Sequence, residues 1–543
     1  MDVAHQLLQA TTPPTLLILL LLVPLLLLLL NSASRRSRRH GSSSKQQPKR
    51  LQLPPSPPSL PIIGHLHLVG DRPHVSLRGL AAEHGSGGLM LLRLGAVPSL
   101  VVSSPRAAQL VLRTHDHAFA SRPASRIADA LLYGSSDIGF SPYGEHWRQL
   151  RRLVTRHLFS IKKVNSYRHA RQDEVRLVME KIREAAAGSK AVDISETMNT
   201  FANDMVCRAV SGKFFREEGR NKLFRELIDM NTSLMDGFNL EEYFPGLAHA
   251  LGSLTGWFAS NKAVEGNKRW DELLETIIRD HERRRRSAEQ GHGVGGVEQE
   301  ETDFVDVLLS VQMEYGITRD HIKAILMDMF GAGTDTSSLV LELAMAELMR
   351  KPQLMTKLQD EVRENTPNGQ EMVAQDDIAS MTYLRAVVKE TLRLHPPAPL
   401  LLPHLSMVDC KVDGYTIPSG TRVIINEWAI GRDPEAWEKA EEFMPERFME
   451  GGSAAAIDFR GNDFQFVPFG AGRRICPGLN FGMATVEIML ANLVYCFDWE
   501  LPAGKKKEDI DLTVVFGLTV HPKEKLILVP KQHGNVVRAL QAE

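Results

Sequence analysis

The chain has 543 residues, 43% of them hydrophobic and 24% charged, the balance of a globular protein rather than a disordered or fibrous one. Its net charge of −2 excludes nucleic acid, or any other partner held by overall charge, as the expected ligand. The four cysteines, Cys207, Cys410, Cys476 and Cys496, are spaced for neither a zinc site nor a secreted disulfide framework and suit a reducing compartment.

Thr15 to Leu30 holds thirteen leucines or isoleucines, one valine and one proline. A helix of that length reaches about 24 Å, short of a ~30 Å hydrocarbon core, so the span must take in Ala10 to Asn31. A cleaved signal peptide is the competing reading, with Ser32-Ala33-Ser34 as its cleavage site. Met1 to Pro14 lacks the Lys or Arg with which such peptides begin, whereas Arg35, Arg36, Arg38, Arg39, Lys45, Lys49 and Arg50 follow the apolar run. That asymmetry predicts an uncleaved membrane anchor over residues 1–31, with the remainder cytosolic. Residues 32–64 read as a basic linker near anionic lipid that ends in a stiff proline-rich hinge, Pro54 to Gly64. Residues 65–543 are expected to form the catalytic domain.

Within that domain, Leu89–Leu94 and Ser99–Ser103 are β-compatible runs joined by Gly95-Ala96-Val97-Pro98, a predicted hairpin. Residues 106–340 are mostly helical in period, with turns near Gly134, Gly144 and Gly188. Arg283 to Thr302 passes from arginines through glycines to acids, which predicts an exposed, mobile loop. Thr318 is a plausible N-cap for one long helix reaching Arg350. After Gly414, strand-like runs at Arg422–Asn426, Thr513–Val515 and Lys525–Val529 alternate with turns. The pattern predicts a mainly α, α+β fold with small sheets collected at one side.

Chemistry concentrates between Phe469 and Gly478. Cys476 lies between Gly472 and Gly478, with Arg473 and Arg474 nearby. Glycines let backbone turn tightly against a flat ligand, and N–H groups with positive charge favour a thiolate. A thiolate is a strong ligand for haem iron. A lone cysteine is more often structural, but Phe469, Gly472, Arg474, Cys476 and Gly478 together fit Phe-x-x-Gly-x-Arg-x-Cys-x-Gly. The apolar stretch Leu479–Cys496 reads as a helix leaving this loop. Farther upstream, Ala332-Gly333-Thr334-Asp335-Thr336-Ser337 places small residues beside an acid and an alcohol inside the long helix. It is either a kink or a groove against a flat cofactor. Glu390 and Arg393 share a helical face, a pairing that on a surface is worth little.

The cysteine loop resembles the haem-thiolate loop of cytochromes P450. The resemblance implies the P450 fold with an N-terminal transmembrane anchor helix, and haem b (iron protoporphyrin IX) with Cys476 as axial ligand. Asp335 and Thr336 then match the acid and alcohol that support proton delivery during oxygen activation. Glu390 and Arg393 join Arg447, from Pro445-Glu446-Arg447-Phe448, in a structural lock beneath the haem. Trp147, Arg151, His404 and Arg474 are the implied partners of the haem propionates. Substrate contacts are implied for Ala124–Phe140, Leu234–Phe258, Phe330–Thr334, Ala398–Leu402 and Val515–Thr519. Gly331, Ala332, Leu400, Leu401, Phe516 and Leu518 are the named candidates. Small, apolar side chains there favour a compact, flat, apolar substrate.

The resemblance runs from the proline hinge to Pro530 and is to plant microsomal P450s. Pro61–Leu68, Tyr315–Leu326 and Pro399–His404 look like the grass enzymes that build benzoxazinoids from indole. It implies a monooxygenase that inserts one oxygen atom from O2 into a small apolar aromatic substrate, indole giving indolin-2-one. Electrons are expected from NADPH through NADPH-cytochrome P450 reductase, with cytochrome b5 as an optional second donor. Arg148, Arg151, Arg152, Arg156 and Arg473 are the expected cationic face for the reductase. The implied location is the endoplasmic reticulum membrane, single-pass. Gly331 departs from the glutamate associated with that position in the benzoxazinoid enzymes. Alternatives are a later indolinone or benzoxazinone intermediate, a flavonoid, or a haem-thiolate isomerase or dehydratase that needs no reductase.

Overall fold

Leu94 pairs with Val97, which leaves only Gly95 and Ala96 to turn the hairpin. Gly95 has φ 63°, the positive value that the first position of a type II′ loop requires. Strand β1 is Leu89–Leu94 and β2 is Val97–Val102, so Pro98, expected in the turn, lies within the strand opposite Arg93. Two later strands complete this sheet: β3, His404–Leu405, and β4, Arg422–Ile425. The order is β1-β2-β4-β3; β2 and β4 are parallel, and β3 runs antiparallel to β4 with His404 opposite Val423. The sheet therefore fixes where His404 points.

The structure is a computed structural model that describes residues 52–236, 240–246, 257–289 and 302–534, all within the compact unit Gln52–Glu543. The expected anchor and the linker as far as residue 51 lie outside the described residues. The proline run touches the β1–β2 hairpin and the residues after it: Pro55 O accepts from Leu91 N at 2.8 Å, and Pro57 O is 2.9 Å from His65 Nε2.

Helices make most of the unit. Those that matter for the site are α1 (Glu145–Leu153), α2 (Arg168–Ala187), α3 (Ile194–Ser211), α4 (Trp257–Glu289), α5 (Phe304–Tyr315), α6 (Arg319–Arg350), α7 (Thr382–Leu394) and α8 (Leu479–Cys496). Thr318 caps α6 in a reciprocal capping box with His321, so the predicted start holds. Leu339 to Met349 of α6 is buried on every side, as a central core helix should be. The same core draws in α2, α3, α7 and α8. Among the described residues α8 is the one helix long and apolar enough to cross a membrane, and it is mostly buried in the core.

One expectation changes. Arg283 to Arg286 are exposed helix, not loop, because α4 continues to Glu289. Pairs of opposite charge at helical spacing carry it on: Arg279–Glu275 at 2.8 Å, Arg283–Asp280 at 3.6 Å and Arg286–Glu282 at 3.9 Å. The rest of that segment, up to residue 301, lies outside the described residues. The strands form four small sheets among the described residues.

Candidate active site

The loop around Cys476 is closed by its own backbone. Cys476 N donates to Phe469 O at 2.8 Å, Gly470 N to Val467 O at 2.8 Å, and Gly472–Arg474 makes one 3-10 turn. Gly472 is obligatory: φ is 65°, and a Cβ there would stand 2.3 Å from Leu112 O. A Cβ at Gly478 would make only ordinary contacts, 3.8 Å from Cys476 Sγ. The N–H groups of Gly478 and Leu479, at the start of α8, donate to the Cys476 sulfur, and the Arg151 guanidinium lies in its field. These three pull the thiol pKa down as expected, yet burial outweighs them and the net shift is upward.

Arg474 is buried and its fork is spent on carbonyls: Ala120 O at 2.7 Å, Ile138 O at 3.2 Å and Ser141 O at 2.6 Å. It stacks 4.1 Å from the Trp147 ring, whose Nε1 also donates to Ile138 O at 3.1 Å. Trp147 and Arg151 both sit on α1, so one helix delivers the indole to Arg474 and the guanidinium to Cys476. His404 is buried rather than a surface histidine, with Nδ1 on Phe119 O at 2.8 Å. Burial beside Arg122 drives its pKa down to about 3, so in this chain it is neutral and supplies no charge. Arg122 is the cation that sequence reasoning missed. Its side chain is buried and ties Gly139 O at 3.0 Å to Leu402 O at 2.8 Å and Pro403 O at 2.9 Å.

On α6, Thr336 Oγ1 donates to Ala332 O at 2.7 Å, and the neighbouring Asp335 carboxylate accepts from Thr232 Oγ1 at 3.3 Å. The helix is unbroken through this stretch. Gly333 faces α3: a Cβ there would stand 2.7 Å from Val206 Cγ2. Its small size serves helix packing. Gly331 has no atom within 4 Å of a would-be Cβ, and Ala332 is exposed, so this face of α6 is open.

Three of the five expected substrate segments lie on or against α6. Ile138 N donates to Asp328 of α6 at 2.7 Å; Phe516 packs with Leu339 and Leu343; Val520 N donates to Pro397 O at 2.9 Å. Leu518 is half-buried on that same loop. Leu400 packs against the β1–β2 side of the sheet, and Leu401, at φ 49°, against the cluster that includes Ala471 of the cysteine loop. The segment from Leu234 to Phe258 is described only in part, and residues 237–239 and 247–256 lie outside it.

Beneath the cysteine loop, Glu390 accepts from Arg393 twice at 2.8 Å, from Arg447 Nε at 3.1 Å to each oxygen, and from Met444 N at 2.7 Å. All three charged side chains are completely buried, so the surface-pair reading is excluded. Of the five arginines expected to face a reductase, Arg148 pairs with Glu145, Arg473 pairs with Asp116 at 2.6 Å, and Arg151 turns inward. Arg152 and Arg156 remain exposed.

Residues 54–529 match the family Cytochrome P450. Over 484 residues the chain is 57% identical to indole-2-monooxygenase of Zea mays, covering 89% of this chain and 88% of that one. It is 53% identical over 490 residues to Zea mays indolin-2-one monooxygenase, covering 89% and 90%. It is 52% identical over 488 residues to 3-hydroxyindolin-2-one monooxygenase of the same plant, covering 89% of each. Among solved structures, a zebra fish cytochrome P450 with progesterone superposes with a TM-score of 0.71 at 26% identity, over 84% of this chain and 99% of that one.

Proposed function

The chain belongs to the cytochrome P450 family, and from that premise we propose that it oxidises a small, flat, apolar aromatic molecule, with indole converted to indolin-2-one. It is a P450 monooxygenase, and the family implies haem, a reductase that supplies electrons, and a small-molecule substrate. The residues present fit a haem. Cys476 offers a sulfur already met by two backbone N–H groups and one guanidinium, and Trp147 and Arg474 are stacked beside it in chain space on α1 and the same loop. We assign haem b to this site, Cys476 as its iron ligand, and NADPH as the source of its electrons. When bound, the haem supplies dioxygen activation and transfer of one oxygen atom.

The chain's own residues do the rest. Phe469, Gly472 and Gly478 shape the loop that presents the sulfur. Arg151, Arg474 and Trp147 would provide the positive, polar surroundings for the cofactor's carboxylates, with His404 as a neutral neighbour there. Asp335 takes protons from solvent and Thr336 passes them on from its hydroxyl, bonded at rest to Ala332 O. Glu390, Arg393 and Arg447 keep the loop's floor rigid. Gly331, Ala332, Leu400, Leu401, Phe516 and Leu518 line an apolar room that excludes water and accepts an uncharged ring.

Similarity to the maize indole-2-monooxygenase carries the choice of substrate. The open space at Gly331 favours a second reading, in which a larger indolinone is the substrate. We also place the protein at the endoplasmic reticulum membrane, with residues 1–31 as anchor, 32–64 as linker and 65–543 as cytosolic catalytic domain. Lipid and cytochrome b5 are its further partners, and Arg152 and Arg156 belong to the reductase face. The test titrates haem-loaded protein with indole, indolin-2-one and flavanone, follows the Soret spin-state shift, then measures product with reductase and NADPH. Indole should shift the spectrum and yield indolin-2-one. A shift with indolin-2-one alone favours the second reading, and turnover without NADPH would identify an isomerase or dehydratase.

A further inference from the structure

We propose that Asp137 and Asp328 share a single proton and act as a positioning pair that latches the 137–141 segment onto α6. Asp137 is fully buried and Asp328 half-buried. Asp137 Oδ2 accepts from Phe140 N at 2.7 Å, but its Oδ1 has no hydrogen-bond donor. The group it meets is the Asp328 side chain, itself an acceptor: Asp328 Oδ2 takes Ile138 N at 2.7 Å and Gly139 N at 3.4 Å. Two carboxylates in contact repel, whereas a carboxylic acid facing a carboxylate makes a charge-assisted hydrogen bond. One proton between them removes both the orphan acceptor and the repulsion. Burial and mutual charge raise both groups above the usual carboxylate range, in keeping with that state.

What the latch positions is a single peptide. The N–H of Ile138 goes to Asp328 of α6, and its C=O receives Trp147 Nε1 and Arg474 Nη1. Thus α6, which carries Asp335 and Thr336, is fastened through one peptide to the stacked Trp147–Arg474 pair. The charged neighbours are few. Arg122 and Arg474 face Asp137, and His404 stands behind them, held neutral. His146 of α1 lies 3.3 Å from Ser136 O and beside His321 of α6, whose pKa burial lowers. Burial also lowers Arg122 to about 9 and Arg474 to about 10, so Asp328→Asn and Asp137→Asn separate the pair's proton from theirs.

The sign follows. A carboxyl whose folded pKa is raised contributes fully below the ordinary carboxyl range, and that contribution is lost as pH rises through the raised value. At alkaline pH the shared proton leaves, the pair repels, and the segment holding Trp147 and Arg474 loosens. The inference rests on Trp147 and Arg474 forming the cofactor's edge, so the experiment reads haem retention directly. Haem-loaded full-length protein in detergent is mixed with excess apomyoglobin from pH 7 to 10, and haem transfer is timed, with a carbon monoxide spectrum at each pH. In the wild type the transfer rate should rise about tenfold or more across the range. In Asp328→Asn it should rise less than about twofold, because an amide can donate to Asp137 and still accept from Ile138 without titrating. Asp137→Asn should behave alike. The same rise in both variants would place the titration elsewhere and overturn the proposal. So would loss of haem at pH 7 in both, since a neutral hydrogen-bonding side chain should replace the shared proton. A wild type with no thiolate-type carbon monoxide spectrum at pH 7 would overturn instead the cofactor reading beneath it.

Discussion

Glu390→Gln should remove most of the catalytic unit's margin of stability. The carboxylate receives five donated hydrogen bonds within 3.1 Å, four of them from two guanidiniums, with no solvent contact on any partner. The amide keeps the shape but cancels the counter-charge and turns an NH2 toward arginine donors. Breaking a buried pair from one side costs about 3–5 kcal/mol, against about 0–1 for an exposed pair. Two arginines depend on this one carboxylate, which argues for the upper half, about 4–5 kcal/mol. Set against the ~5–15 kcal/mol of an ordinary domain, little would remain. Hydrophobic replacement of the whole cluster would not rescue it. Arg393 also serves Gly431 O, Ala440 O and Glu442 O, and Arg447 serves Glu438 O, so removing them orphans buried carbonyls. The assay is urea unfolding of haem-loaded protein, followed by circular dichroism and by Soret loss. A fall below about 1 kcal/mol would refute the reasoning, because it would mean that desolvation already cancels the pair.

Thr336→Val keeps the side chain's shape but deletes the hydroxyl that now donates to Ala332 O, so haem and substrate binding should persist while hydrogen peroxide per NADPH rises. Loss of such proton help is typically worth about 10²–10⁴-fold in the productive rate, and unchanged coupling would make Thr336 a packing residue. Cys476→Ala should lose the thiolate-type carbon monoxide spectrum; a retained one would remove Cys476 from the iron.

Local signals carried the parts of the fold that local physics decides. The β1–β2 hairpin followed from a glycine turn, α6 from its Thr318 cap, and α8 from an uninterrupted apolar run. Long-range contacts were legible only through the resemblance. Spacing alone does not tell a surface from a core for Glu390 and Arg393, and Arg447, far along the chain, makes the carboxylate a buried hub. Small residues do not say which neighbour needs them, so Gly333 was read for a cofactor although Val206 occupies that side. Charge near Cys476 was legible, but the desolvation that outweighs it was not. Asp328 did leave a trace: a carboxylate within the apolar run before Phe330, seven residues before Asp335 and so on nearly the same helical face.

The placement of roles around α6 explains how one scaffold can serve relatives with different named substrates. Positions 331 and 333 lie about 200° apart on the helix, so they face nearly opposite ways. Gly333 sits where any larger side chain would strike Val206 of α3, so that face is set by packing. Gly331 has open room, with no protein atom within 4 Å of where a Cβ would stand. Flanking them in sequence on the same helix stand Asp328, Asp335 and Thr336, which hydrogen bonds tie to the 137–141 segment, to Thr232 and to Ala332. On the proposed reading, changes at 331 alter which ring fits without moving Asp335 and Thr336, the proposed proton-handling residues, or loosening the helix. The maize relatives, named for indole, indolin-2-one and 3-hydroxyindolin-2-one, are similar to this chain to nearly the same degree, as expected if substrate choice rests on few such positions.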